Sequence, residues 1–163
     1  MLRILSATLA IVLLSGCDRG RSIEPAAKPE PASAYRAITD VKQTMERILD
    51  PAADVIWDSA GFVITAAGES DLAPTTDEGW EHVRDSAALV AESGNLLLMP
   101  GRVGGADWVV YAQELRAAGE VAMAAAEARD ADALFDAGGR LYLACRTCHE
   151  QYMLPLEQAR SAP

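Results

Sequence analysis

The chain has 163 residues, enough for one domain with a real core and short of two. Its 50% hydrophobic and 23% charged residues exclude a disordered chain. Its 14 Lys and Arg against 24 Asp and Glu, a net charge of −10, argue against nucleic acid or an anionic lipid surface as a partner. Ala is abundant and aromatics make up only 6%, a composition that favours helices over sheets. The chain opens on "MLRILSATLAIVLLSGC", with a single positive charge at Arg3 and an uncharged apolar run to Leu14. The run is too short to span a membrane and is followed by small residues, so it reads as an export signal.

Leu14-Ser15-Gly16-Cys17 resembles the lipobox of bacterial lipoproteins. The resemblance implies cleavage after residue 16 and a lipid on Cys17, now the first residue. The alternative is an ordinary cleaved signal with a cysteine at its end. Losing residues 1–16 removes Arg3 and takes the net charge from −10 to −11. Such an acidic domain is steered towards basic docking faces on partner proteins. The Asp18 that follows resembles an inner-membrane retention signal and slightly favours that membrane.

Residues 17–33 hold Pro25, Pro29 and Pro31 and almost no large apolar side chain, as expected of an extended tether. The folded domain is expected over 34–155, with a tail at 156–163. In the first helix Ile38, Val41, Met45, Ile48 and Leu49 recur at steps of three and four. Asp50-Pro51 looks like a cap followed by Pro at the first helical position, which predicts a helix kinked at Pro51 or in two pieces. Phe62 to Thr65 could form a short strand, but no run alternates for long enough to make a sheet. Thr75 with Glu78 fits a capping box for a second helix along Trp80, Val83, Ala87 and Val90, stopped by Pro100-Gly101. A third helix is expected from near Asp107 to about Arg129. The fourth is expected from near Asp130 to Tyr152, with Pro155 as its stop. Four helices with short connections predict an all-α, up-down-up-down four-helix bundle.

Cys145-Arg146-Thr147-Cys148-His149 has the C-x-x-C-H pattern of covalent haem attachment. Two thiols three residues apart on a helical turn can each bond one vinyl group on the same edge of a porphyrin. The adjacent imidazole can then bind iron. A Cys145–Cys148 disulfide in a non-haem lipoprotein is an alternative. A thioredoxin-like pair lacks its βαβ context, and a zinc site falls short of four ligands. The cysteine count favours haem, because one cysteine goes to lipid and two to thioethers.

A bundle with "CRTCHEQY" on its last helix resembles the cytochrome c prime superfamily, the class II c-type cytochromes, over residues 35–153. The resemblance implies one haem c inside the bundle at the end where the fourth helix finishes. Cys145 and Cys148 would be the anchors and His149 the proximal iron ligand. The family usually has a basic residue after the aromatic, where this chain has Met153.

In the family's low-spin branch a Met on the first helix is the sixth ligand, which points to Met45, with Met99 as second candidate. Met123 and His82 belong to the opposite end and Met153 to the proximal side. Leu96, Leu97, Leu98 and Trp108 are expected to wall the pocket. The implied function is a membrane-anchored, periplasm-facing carrier of single electrons and not an enzyme. The runner-up is a five-coordinate cytochrome that binds NO or CO. The family's frequent pairing of bundles makes a homodimer the assembly to test.

Overall fold

The structure, a computed structural model, describes residues 35–102 and 104–161, the stretch 154–161 as backbone only. The expected export signal, Cys17 and the expected tether lie outside the described residues. No helix among those described is long and apolar enough to cross a membrane.

The first helix begins at Val41, because Asp40 caps it. The Asp40 carboxylate accepts from Gln43 N at 2.7 Å, and the Gln43 amide oxygen accepts from Asp40 N at 3.3 Å. This reciprocal capping box leaves Ile38 outside the helix and 80% exposed, so Ile38 is not part of its apolar face. Helix α1 (Val41–Thr44) continues into a π turn (Met45–Leu49) and then α2 (Asp50–Asp58). Asp50 has helical angles, φ −57° and ψ −49°, and donates its N–H to Met45 O. It is therefore not the cap that the sequence suggested. In a regular helix the Pro51 ring would press on the Arg47 carbonyl. The wide turn just before Pro51 relieves that contact, so the irregularity lies one turn earlier than the predicted kink.

The connector forms a hairpin. Strand β1 (Phe62–Thr65) pairs antiparallel with β2 (Gly68–Asp71), Phe62 opposite Asp71 and Thr65 opposite Gly68. This small sheet corrects the expectation of none. Its second strand, Gly-Glu-Ser-Asp, has no strand-forming pattern and is ordered by the tight turn. Gly68 takes φ +127°, and Thr65 Oγ1 accepts from Ala67 N.

Helix α3 (Asp77–Leu97) is capped by Thr76, whose Oγ1 accepts from Gly79 N at 3.1 Å, rather than by Thr75 and Glu78. The register moves by one because Pro74 packs where a Gly79 side chain would stand, a Cβ there lying 2.9 Å from Pro74 Cβ. Helix α4 (Trp108–Ala128) ends on Arg129 in the left-handed region, φ +54°. Asp130 then caps α5 (Ala131–Ser161) by accepting from Ala133 N. Helix α5 runs through Pro155 to Ser161, so the expected boundary at 155 falls inside it.

Each long helix packs on two others: α3 on α2 and α4, α4 on α3 and α5, and α5 back on α2. The result is a helical bundle with the exposed hairpin at its side. Alanines 87, 112, 118, 122, 125, 126 and 137 fill the core with Ile56, Val83, Val90, Leu134 and Leu141. Side chains this small let backbones approach closely, and α3 and α4 meet through glycines. A Cβ on Gly119 would lie 2.5 Å from Ala91 N, and one on Gly94 2.6 Å from Ala112 O. Buried Arg102 ties the loop after α3 to the start of the first helix, donating to Leu96 O at 2.8 Å and to Thr39 Oγ1 at 3.2 Å.

Candidate functional site

Helix α5 carries its chemistry on one face. Tyr142, Cys145 and His149 follow at steps of three and four, and Cys148 stands one turn beyond Cys145. This face lines a cavity of about 420 Å³ in the bundle. The first helix supplies the wall opposite, with Met45, Leu49, Asp50, Ala53 and Trp57. Leu97 of α3 and Tyr111 and Leu115 of α4 close the sides. Three of the sequence-derived residues on α5 therefore share one cavity with Met45.

The other candidates separate. Met99, Met123 and Met153 do not line the cavity, and His82 is exposed. Leu97 is a wall residue as expected, whereas Leu96 and Leu98 are not. Trp108 supports the wall from behind. It is buried, donates Nε1 to Leu97 O at 2.8 Å, and meets Tyr152 edge-on at 5.1 Å between ring centroids. Tyr152 also meets Tyr111 edge-on at 6.0 Å, so the aromatic after the motif locks α5 against α4 beside the cavity.

Sequence reasoning missed Asp50, Trp57, Tyr111 and Tyr142. Trp57 anchors the first helix to α5 by donating Nε1 to Gly138 O at 3.0 Å, and Gly138 leaves room for the indole, 3.2 Å from where a Cβ would be. The weak helix signal of Gly138 was the available clue. The only ion pair of α5 among the described residues, Arg146 to Glu150 at 3.1 Å, lies at the solvent-exposed rim of the cavity.

Both thiols are free and half-buried. Burial pushes the Cys145 thiol up to about 11 from its ordinary 9.0, with Asp50 and Cys148 adding to the effect. Burial also pushes Cys148 up. The Asp50 carboxyl, exposed at the cavity edge, is raised by partial desolvation, an effect opposed by His149 and reinforced by Asp54 and Glu46. Because the thiolate is the nucleophile, alkylation of Cys145 by iodoacetamide at pH 7.5 should run about 100-fold slower than for an ordinary thiol. The rate should climb tenfold per pH unit towards pH 11, and mass spectrometry of the chain with both thiols free reads it. An ordinary rate at pH 7.5 would contradict this burial. The sign for stability follows. The fold prefers the neutral thiol, so this contribution is complete below pH 9 and is lost as pH rises through about 11.

Among the described residues, no three His, Cys, Asp or Glu side chains converge on a metal-sized point. No family model, no curated protein and no solved structure matches the chain.

Proposed function

We propose that the protein is a lipid-anchored c-type cytochrome that carries single electrons through one haem. The haem would be attached at Cys145 and Cys148, with His149 and Met45 as axial ligands. The fold would be an up-down-up-down four-helix bundle of the cytochrome c prime kind. The observation that carries the reading is the shared cavity, with two thiols and an imidazole on α5 and a thioether on the first helix. The residues fit the group. Its volume lies in the range of cofactor sites, its walls are mostly apolar, and the donors are those that hold haem iron in c-type cytochromes. The two-residue link between α4 and α5 supports antiparallel neighbours.

Bound haem supplies a one-electron iron couple. The chain's own residues do the rest. Cys145 and Cys148 would anchor the porphyrin edge. His149 and Met45 would hold the iron, and keeping the same ligands in both oxidation states would limit reorganisation. Leu49, Ala53, Leu97 and Leu115 keep water away. Exposed Tyr142 and Arg146 mark the side of the cavity open to solvent, where an electron would enter or leave. Cys17, outside the described residues, would tether the domain to the periplasmic face of a bacterial membrane, with the inner membrane slightly favoured. The acidic surface would favour partners with basic docking faces.

Optical spectra of residues 18–163, co-expressed with haem-maturation machinery, test this reading. The wild type is expected to be low-spin in both oxidation states, with a methionine-type near-infrared band. Met45→Ala is expected to abolish that band, turn the ferrous iron high-spin and admit CO. A high-spin wild type that binds CO readily, unaffected by Met45→Ala, would replace electron transfer with gas binding. Absence of covalent haem after denaturation would sink both.

A further inference from the structure

The cavity wall includes a carboxylate that electron transfer as described above does not use. Asp50 lines it together with Met45, Cys145 and His149. The π turn accounts for its direction. Its N–H bonds the carbonyl of Met45, five residues back, so Asp50 stands nearly above Met45. In a regular α-helix a residue five positions on lies about 140° around the axis and would turn away from the cavity. Pro51 accounts for the turn itself, through its ring and missing N–H.

The charges around Asp50 come from two elements. Glu46 and Asp54 on its own helix oppose its ionisation, and His149 on α5 favours it. Arg146 and Glu150 of α5 also line the cavity, but pair with each other. Asp50 and His149 thus stand on opposite walls of one cavity, across a space walled largely by apolar side chains.

We propose that Asp50 tunes the haem site: its carboxylate, at the solvent-exposed edge of the cavity that would hold the haem, lowers the reduction potential of the iron. The inference rests on the cytochrome reading. A fixed negative charge near the iron favours the ferric over the ferrous state, because ferric iron carries one more positive charge. The lever would be a charge on the cavity wall, not a change of ligand.

Potentiometric titration at pH 8 of the full haem-loaded chain tests it, with wild type, Asp50→Asn, Asp50→Glu and Asp54→Asn compared. Asp50→Asn is expected to favour reduction about tenfold, an upward shift of about 59 mV for one electron. Asp50→Glu is expected to stay within about twofold of wild type. Asp54→Asn removes a carboxylate on the next turn that does not line the cavity and is expected to do the same. Should Asp50→Asn fail to accumulate, Asp50→Ser carries the same expectation. An Asp50→Asn potential indistinguishable from wild type, or equal shifts in Asp50→Asn and Asp54→Asn, would overturn the inference while leaving the cytochrome standing. Wild type without covalent haem after denaturation would overturn both.

Discussion

Serine in place of both Cys145 and Cys148 is expected to leave no haem on the denatured chain. The substitution changes one atom per residue and little volume, and it keeps His149 and the cavity walls in place. A hydroxyl does not form the thioether, so any haem that enters is held only by ligation and packing and is lost when the chain unfolds. Each single substitution is expected to retain one bond and free one vinyl group. A free vinyl stays conjugated with the ring and moves the reduced band of the pyridine complex to longer wavelength. The measurement is a peroxidase-activity stain on a denaturing gel, together with that band position. Full staining of the double variant would show that these thiols are not the attachment points. A disulfide would then regain its claim on them.

Valine at Gly119 is expected to destabilise the domain by about 3 kcal/mol, the upper part of the usual overpacking range. The cause is specific. The added Cβ would meet Ala91 N at 2.5 Å, Ala91 Cα at 2.8 Å and Ala91 Cβ at 2.9 Å. Two of these are backbone atoms in the middle of α3 and cannot swing aside as a flexible side chain would. Helices α3 and α4 would have to separate, weakening the interface on which Leu97, Leu115 and Tyr111 are held against the cavity. Leaving glycine also improves helix propensity, but by less than about 1 kcal/mol. Thermal unfolding should fall by about 10 °C. Gly139→Ala is the counterpart with the opposite sign. A Cβ there meets nothing within 4 Å, so this exposed helical position should gain about 0.5–1 kcal/mol. A Gly119→Val domain that melts with wild type would mean that the α3–α4 crossing is looser than its glycines indicate.

Much was legible in the sequence alone. Apolar residues at steps of three and four, with Pro100-Gly101 and Asp130 as punctuation, were enough to locate the helices, because a helix's core-facing stripe is a local pattern. Cys145, Cys148 and His149 were legible for the same reason: their spacing is a property of one helical turn. Local rules also failed locally. Thr75 and Thr76 are both acceptable caps, and the packing of Pro74 on Gly79 chose the second. The strand Gly68–Asp71 has no apolar pattern to read, since all its residues face solvent.

The remaining decisions needed the bundle. Met45 and Met99 were both open as partners to His149, and only the packing of helices brought Met45 to the cavity and left Met99 off it. Asp50 read as a helix cap, because Asp-Pro is an ordinary helix start and does not by itself announce a wide turn. Trp57, Tyr111 and Tyr142 belong to three different helices, and each alone resembles an ordinary core or surface aromatic. The sequence by itself determined which turn of which helix bears the thiols and the imidazole, since those are neighbours along the chain. The tertiary structure alone decided what stands opposite them. That depends on how helices distant in sequence are rotated and aligned, and here the rotation was set by a proline-driven wide turn and by glycines that let two backbones touch.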